Sequence, residues 1–99
     1  MQHALDCDAS EWVLNTADKA PAFNLAEAGL DVWICNNRGC RLSMKLIKYD
    51  PSKKSDKPLF WNFDFEDMGV KDLPTMIDFV LEKTGQQKVV FFGHSEGTT

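Results

Sequence analysis

Ninety-nine residues, 43% hydrophobic and 11% aromatic, suffice for one small packed domain and exclude a disordered chain. Eleven basic against fifteen acidic residues leave a net charge of −4, which argues against the clustered basic footprint of a nucleic-acid binder. No apolar run approaches a membrane span, and Met1 to Asp6 has neither the basic n-region nor the apolar h-region of a signal peptide.

Met1 to Leu5 leans apolar and is expected as the tail of a strand. Asp6 to Thr16 is polar and turn-like around the apolar island Trp12-Val13-Leu14. Asp18 is placed to cap a helix whose first turn carries Pro21, where a missing N–H costs nothing. Ala22, Phe23 and Ala26 recur at helical spacing, and Gly29 suits the left-handed position just past the helix end. Leu30 to Cys35 is the next strand candidate, ending in the turn Asn36-Asn37-Arg38-Gly39.

An irregular stretch is expected from Cys40 to Pro58, with Lys53 to Lys57 as a solvated loop tip. Phe60, Trp61, Phe63 and Phe65 read as core, the alternative being the lining of an apolar substrate pocket. Asp72 is placed to cap a second helix, with Pro74 in its first turn and Gly85 closing it. Leu73, Met76, Ile77, Val80 and Leu81 form its core-facing stripe. The three cysteines, Cys7, Cys35 and Cys40, lack Cys-x-x-Cys spacing, so no zinc site is expected. Three small buried residues is the simpler reading, with a disulfide and one leftover thiol as the other. Cysteine usage leaves the compartment open.

Val89 to Phe92 is β-branched or aromatic without a polar break, the pattern of a strand buried on both faces of a parallel sheet. It runs into Gly93-His94-Ser95-Glu96-Gly97, a Gly-x-Ser-x-Gly sequence. After a strand, that sequence reads as a nucleophile elbow, a strained turn that lifts one serine above the sheet edge. The order strand, helix, strand, loop, helix, strand, elbow is an α/β pattern: a parallel sheet with flanking helices.

A serine hydroxyl attacks only when a base takes its proton and a third group orients that base. In elbow enzymes these partners follow the serine in the order Asp or Glu, then His. After Ser95 come only Glu96, Gly97, Thr98 and Thr99. His3 precedes the elbow, and the turn directs His94 away from the serine. Residues 1–99 are therefore expected to be the N-terminal portion of a hydrolase domain, incomplete and without turnover of its own. Arg38 is expected to bond loop carbonyls rather than clamp a substrate carboxylate, and His3 to hold loop backbone.

Ordered blocks of the chain resemble the acid lipases, the gastric and lysosomal lipase family of α/β-hydrolases. They are Met1-Gln2-His3-Ala4-Leu5, Trp12-Val13-Leu14-Asn15, Pro21-Ala22-Phe23 and Asp31-Val32-Trp33. Asn36-Asn37-Arg38-Gly39, Phe60-Trp61, Asp72-Leu73-Pro74 and Gly93 to Thr99 follow. The resemblance implies hydrolysis of triacylglycerols or cholesteryl esters at a lipid–water interface, at acidic pH and without metal or organic cofactor. It implies Ser95 as nucleophile, the backbone N–H groups of Leu5 and Glu96 as oxyanion hole, and a secreted or lysosomal setting. The family's Asp, His and helical cap would lie beyond Thr99. Other readings are a carboxylesterase or thioesterase with the same elbow, or a non-catalytic truncated product.

Two positions depart from the family. Ala4 stands where it usually has glycine; at positive φ an alanine there would cost about 1 kcal/mol. Glu96 stands where it commonly has glutamine, and a carboxylate beside a developing oxyanion opposes it unless protonated or turned away.

Overall fold

Three chain segments meet at Gln2. The computed structural model describes residues 1–45 and 47–99, and in it Gln2 is bridged in parallel to Cys35 on one side and to Gly93 on the other. The Cys35 N–H donates to the Met1 carbonyl at 3.0 Å and the Met1 nitrogen to the Trp33 carbonyl at 2.7 Å. On the other flank the Gln2 N–H donates to Phe92 at 2.8 Å, and the His94 N–H to Gln2 at 3.2 Å. The expected strand tail at Met1 to Leu5 thus lies between the other two segments.

These bridges do not extend into ladders. Leu30 to Ile34 and Val89 to Phe92 run without regular pairing among the described residues. Val89 to Phe92 is also not buried on two faces: Val90 is 80% exposed and Phe92 42%. The physical reason is a shortage of neighbours. Among the described residues only the short segment around Gln2 pairs with it. An open groove of about 690 Å³, with Val32, Trp33, Ile77, Val80, Val89 and Phe91 among its walls, separates it from the long helix.

Helix α1 spans Pro21–Glu27 and is followed by Gly29 at φ 90°, the left-handed exit that the sequence anticipates. Asp18 does not cap it. The N-cap is Ala20, without a side-chain bond, and Asp18 sits in the preceding turn, where the N–H groups of Lys19 and Ala20 close onto Thr16. A four-residue helix α2, Lys57–Phe60, ends the stretch expected to be irregular, of which position 46 lies outside the described residues. Lys53 and Lys54 are exposed, as a loop tip should be.

The second predicted helix begins earlier than Asp72. Asp64 is the cap, its carboxylate accepting the Asp67 N–H at 3.1 Å at the start of α3, Phe65–Asp67. A π-helical turn, Met68–Asp72, joins α3 to α4, Leu73–Thr84. The wide turn arises where Pro74 brings no N–H to the ladder: the Leu73 N–H reaches back to Met68, and the Thr75 hydroxyl takes the Lys71 carbonyl at 2.6 Å. Leu73, Met76, Ile77, Val80 and Leu81 are all half-buried on one face, and Gly85 ends the helix at φ 68°. Trp33 meets Phe79 edge-on, with ring centroids 6.1 Å apart.

Among the described residues the buried apolar ones are Ala4, Ala9, Ala20, Ala22 and Phe60. Of the aromatic cluster only Phe60 is core; Phe65 is exposed, and Trp61 and Phe63 face a cleft described below. The cysteines are not buried either: Cys7 is exposed, Cys35 and Cys40 are half-buried, and all three are free thiols.

Candidate active site

The backbone at Ser95 is strained. Its φ is 51°, and Asp6, at 56°, is the one other non-glycine residue with positive φ among the described residues. Such conformations persist only where the surroundings enforce them. Here the enforcement is backbone crowding. A Cβ on Gly93 would lie 2.2 Å from the Gly97 carbonyl oxygen, and one on Gly97 would lie 2.7 Å from the Gln2 oxygen and 2.8 Å from that of His3. Both glycines are therefore required by close approach, and the turn they allow presents an exposed Ser95 at the head of the 3-10 helix Ser95–Thr98.

Leu5 and Glu96 line one cleft of about 600 Å³, together with His3, Cys7, Trp61 and Phe63. Ser95 is not among its lining residues; it stands beside the cleft, next to Glu96. No backbone hydrogen bond among the described residues uses the N–H of Leu5 or of Glu96. Each donor adjoins one of the two left-handed residues. Ala4 does not have positive φ, so the cost attached to alanine there does not arise. It is buried, and its N–H donates to Glu11 Oε2 at 3.3 Å.

His3 is 3% exposed and fully engaged. Its Nε2 accepts the Asn37 N–H at 3.1 Å, which puts the ring proton on Nδ1, 2.8 Å from the Ala4 carbonyl. It holds loop backbone, as expected. His94 is turned to Glu11, with Nδ1 3.5 Å from Oε2, and its ring meets Trp12 edge-on at 6.5 Å.

Arg38 borders the cleft, but among the described residues its hydrogen bonds go to Asp72 rather than to loop carbonyls. Its Nε lies 2.9 Å from both carboxylate oxygens of Asp72 and its Nη2 2.6 Å from Oδ1, while its own N–H donates to Oδ2 at 3.1 Å. Asp72, expected as a helix cap, is thus the anchor of the Asn-Asn-Arg-Gly turn, and the fork-on-carboxylate bonds raise the guanidinium pKa further.

A second nucleophile type borders the cleft at Cys7. Desolvation and the carboxylates of Glu11, Asp8 and Asp6 push that thiol's pKa up, away from the reactive thiolate. No group of three or more His, Cys, Asp or Glu side chains among the described residues could hold a metal ion.

Comparison with known proteins bears on this turn. A family model described as alpha/beta hydrolase fold matches residues 20–99. The chain belongs to the α/β-hydrolase fold family. Within it the chain is acid-lipase-like: it is 46% identical over all 99 residues to the gastric triacylglycerol lipase of Mus musculus. It is 44% identical to the lysosomal acid lipase/cholesteryl ester hydrolase of Homo sapiens and 42% to lipase member K of Homo sapiens, again over the whole chain. The chain spans about a quarter of the length of these relatives, 24% in each case.

Sequence reasoning missed Glu11, Asp64 and the Arg38–Asp72 pair. Asp64 carries a local signal, a capping residue type directly before a first turn that holds Glu66 and Asp67. The others have none, because their partners lie 7, 83 and 34 positions away.

Proposed function

We propose that this chain carries the nucleophile of a serine hydrolase acting on neutral lipid esters at a lipid–water interface. The observation that carries it is the positive φ of Ser95, held by two glycines whose Cβ positions are filled by backbone. Ser95 Oγ attacks the ester carbonyl while a base takes its proton; the alcohol then leaves with that proton, giving an acyl-enzyme that water cleaves. The N–H groups of Leu5 and Glu96 receive the negative charge that develops on the carbonyl oxygen.

His3 is committed to backbone and His94 to Glu11, so the base and its orienting carboxylate come from outside these residues. Residues 1–99 alone are a portion of the hydrolase domain and do not turn over. The segments around Cys35, Gln2 and Gly93 act as neighbouring strands of that domain's parallel sheet, a reading their parallel bridges support. Trp61, Phe63 and Met68 give the cleft an apolar wall suited to an acyl chain. The lipase names of the relatives favour triacylglycerols or cholesteryl esters.

Hydrolysis of p-nitrophenyl esters by the full-length protein tests the reading. Activity rising with acyl length and on emulsified substrate, and lost in Ser95→Ala, is expected. Preference for short soluble esters identifies a carboxylesterase instead, and full activity in Ser95→Ala overturns the reading. A Glu96→Gln variant is expected to extend activity on the alkaline side, by removing a carboxylate that opposes the oxyanion.

A further inference from the structure

We infer that Glu11 is a positioning residue that ties the loop bearing Leu5 to the turn bearing Ser95. The inference rests on the reading of Ser95 as nucleophile and of the Leu5 and Glu96 N–H groups as oxyanion donors. Glu11 Oε2 accepts from the Ala4 N–H at 3.3 Å and lies 3.5 Å from His94 Nδ1. Ala4 immediately precedes Leu5, and His94 immediately precedes Ser95. One carboxylate oxygen therefore holds both limbs of the site, each one residue short of the atoms that react.

The support behind that oxygen is stiff. Glu11 belongs to the 3-10 helix Ala9–Trp12, and its side chain is only 15% exposed. Asp8 caps this helix by accepting the Ser10 N–H at 2.9 Å and is itself held by Arg41 Nε at 3.0 Å. The Ala9 N–H donates to Asn36 Oδ1 at 2.9 Å, which joins the helix to the turn after Cys35. Trp12 packs edge-on against the His94 ring that Glu11 faces. The helix thus braces the two limbs against each other.

An oxyanion hole works only while its donors stay near 3 Å from the developing charge, and misplacement of about 1 Å can cost a hundredfold in rate. Glu11 borders the cleft, but its side chain is mostly buried and its Oε2 is turned to Ala4 and His94, so its loss should act on kcat far more than on KM. Glu11 Oε1 is buried without a partner among the described residues. A glutamine, which keeps the shape and an acceptor oxygen for the Ala4 N–H, should therefore fold about as well.

The test uses the full-length protein and p-nitrophenyl butyrate, with Ser95→Ala beside it. Glu11→Ala is expected to lower kcat about tenfold with KM within about twofold, as loss of a transition-state interaction should. Glu11→Gln should recover most of that loss. His94→Phe keeps the packing on Trp12 but removes Nδ1; its effect should be non-additive with Glu11→Ala. An unchanged kcat in Glu11→Ala, an equal loss in Glu11→Gln, a loss carried by KM, or strict additivity with His94→Phe overturns the proposal. Should Glu11→Ala fail to fold by circular dichroism, the Glu11→Gln and His94→Phe rates decide: near-parental for the first and reduced for the second supports the brace, and any other pair of results overturns it. Activity surviving in Ser95→Ala overturns the underlying reading instead.

Discussion

Ser95 in a left-handed conformation costs on the order of 1 kcal/mol or more, a strain that the surrounding backbone must hold in place. The holding is done by atoms that cannot move aside cheaply: main-chain oxygens of Gln2, His3 and Gly97. Gly97→Ala forces a methyl group to within 2.8 Å of two of them. We expect that variant of the full-length protein to lose about 2–3 kcal/mol of stability in urea melts, and its Ser95 reactivity with it. An unperturbed melt would contradict this. Asp8 offers a pH-dependent test. The Ser10 hydroxyl, then the Ser10 N–H, then Arg41 hold its carboxyl below the usual aspartate range. A depressed folded pKa stabilises above the unfolded value of about 4 and is lost as pH falls through the folded one. The difference in Tm between parent and Asp8→Asn should therefore be widest near neutral pH and close in strong acid; a constant difference would contradict this.

Among the elements, the Asn36–Gly39 turn and the start of α4 are joined by one ion pair. Asp72→Ala strips four hydrogen bonds from Arg38, including its backbone N–H. With both side chains partly exposed, we expect about 1–3 kcal/mol of destabilisation, and a similar loss for Arg38→Leu that is not additive with it. Additive losses in thermal melts would mean that the two side chains act separately. The pair also marks what a linear reading can reach. The stripe on α4 and its glycine stop were legible because they repeat within one turn of helix. The roles of Asp72 and Asp18 as caps were misassigned because a capping residue type is necessary but not sufficient; at Asp72 a partner 34 positions away outcompeted the helix end. Strand pattern likewise marked Leu30–Cys35 and Val89–Phe92, but ladders need neighbours of matching length, which no local pattern supplies.

For the molecule as a whole, the Cα radius of gyration is 14.8 Å, against about 13 Å for a compact domain of this length. The excess reflects an elongated body, 47 × 31 × 22 Å, with an open apolar groove beneath α4. Such faces need cover, and a chain spanning a quarter of its relatives' length has correspondingly few elements to cover them. The turn at Ser95 nonetheless keeps its strained geometry here, because its constraints come from Gln2, His3 and Gly97 rather than from distant residues. On the proposed reading the serine's position is thus local, while its activation is not. Reaction of the full-length protein with a fluorophosphonate, followed by peptide mass mapping, tests this most directly. We predict a single adduct on Ser95; an adduct on another serine, or none, would contradict the account.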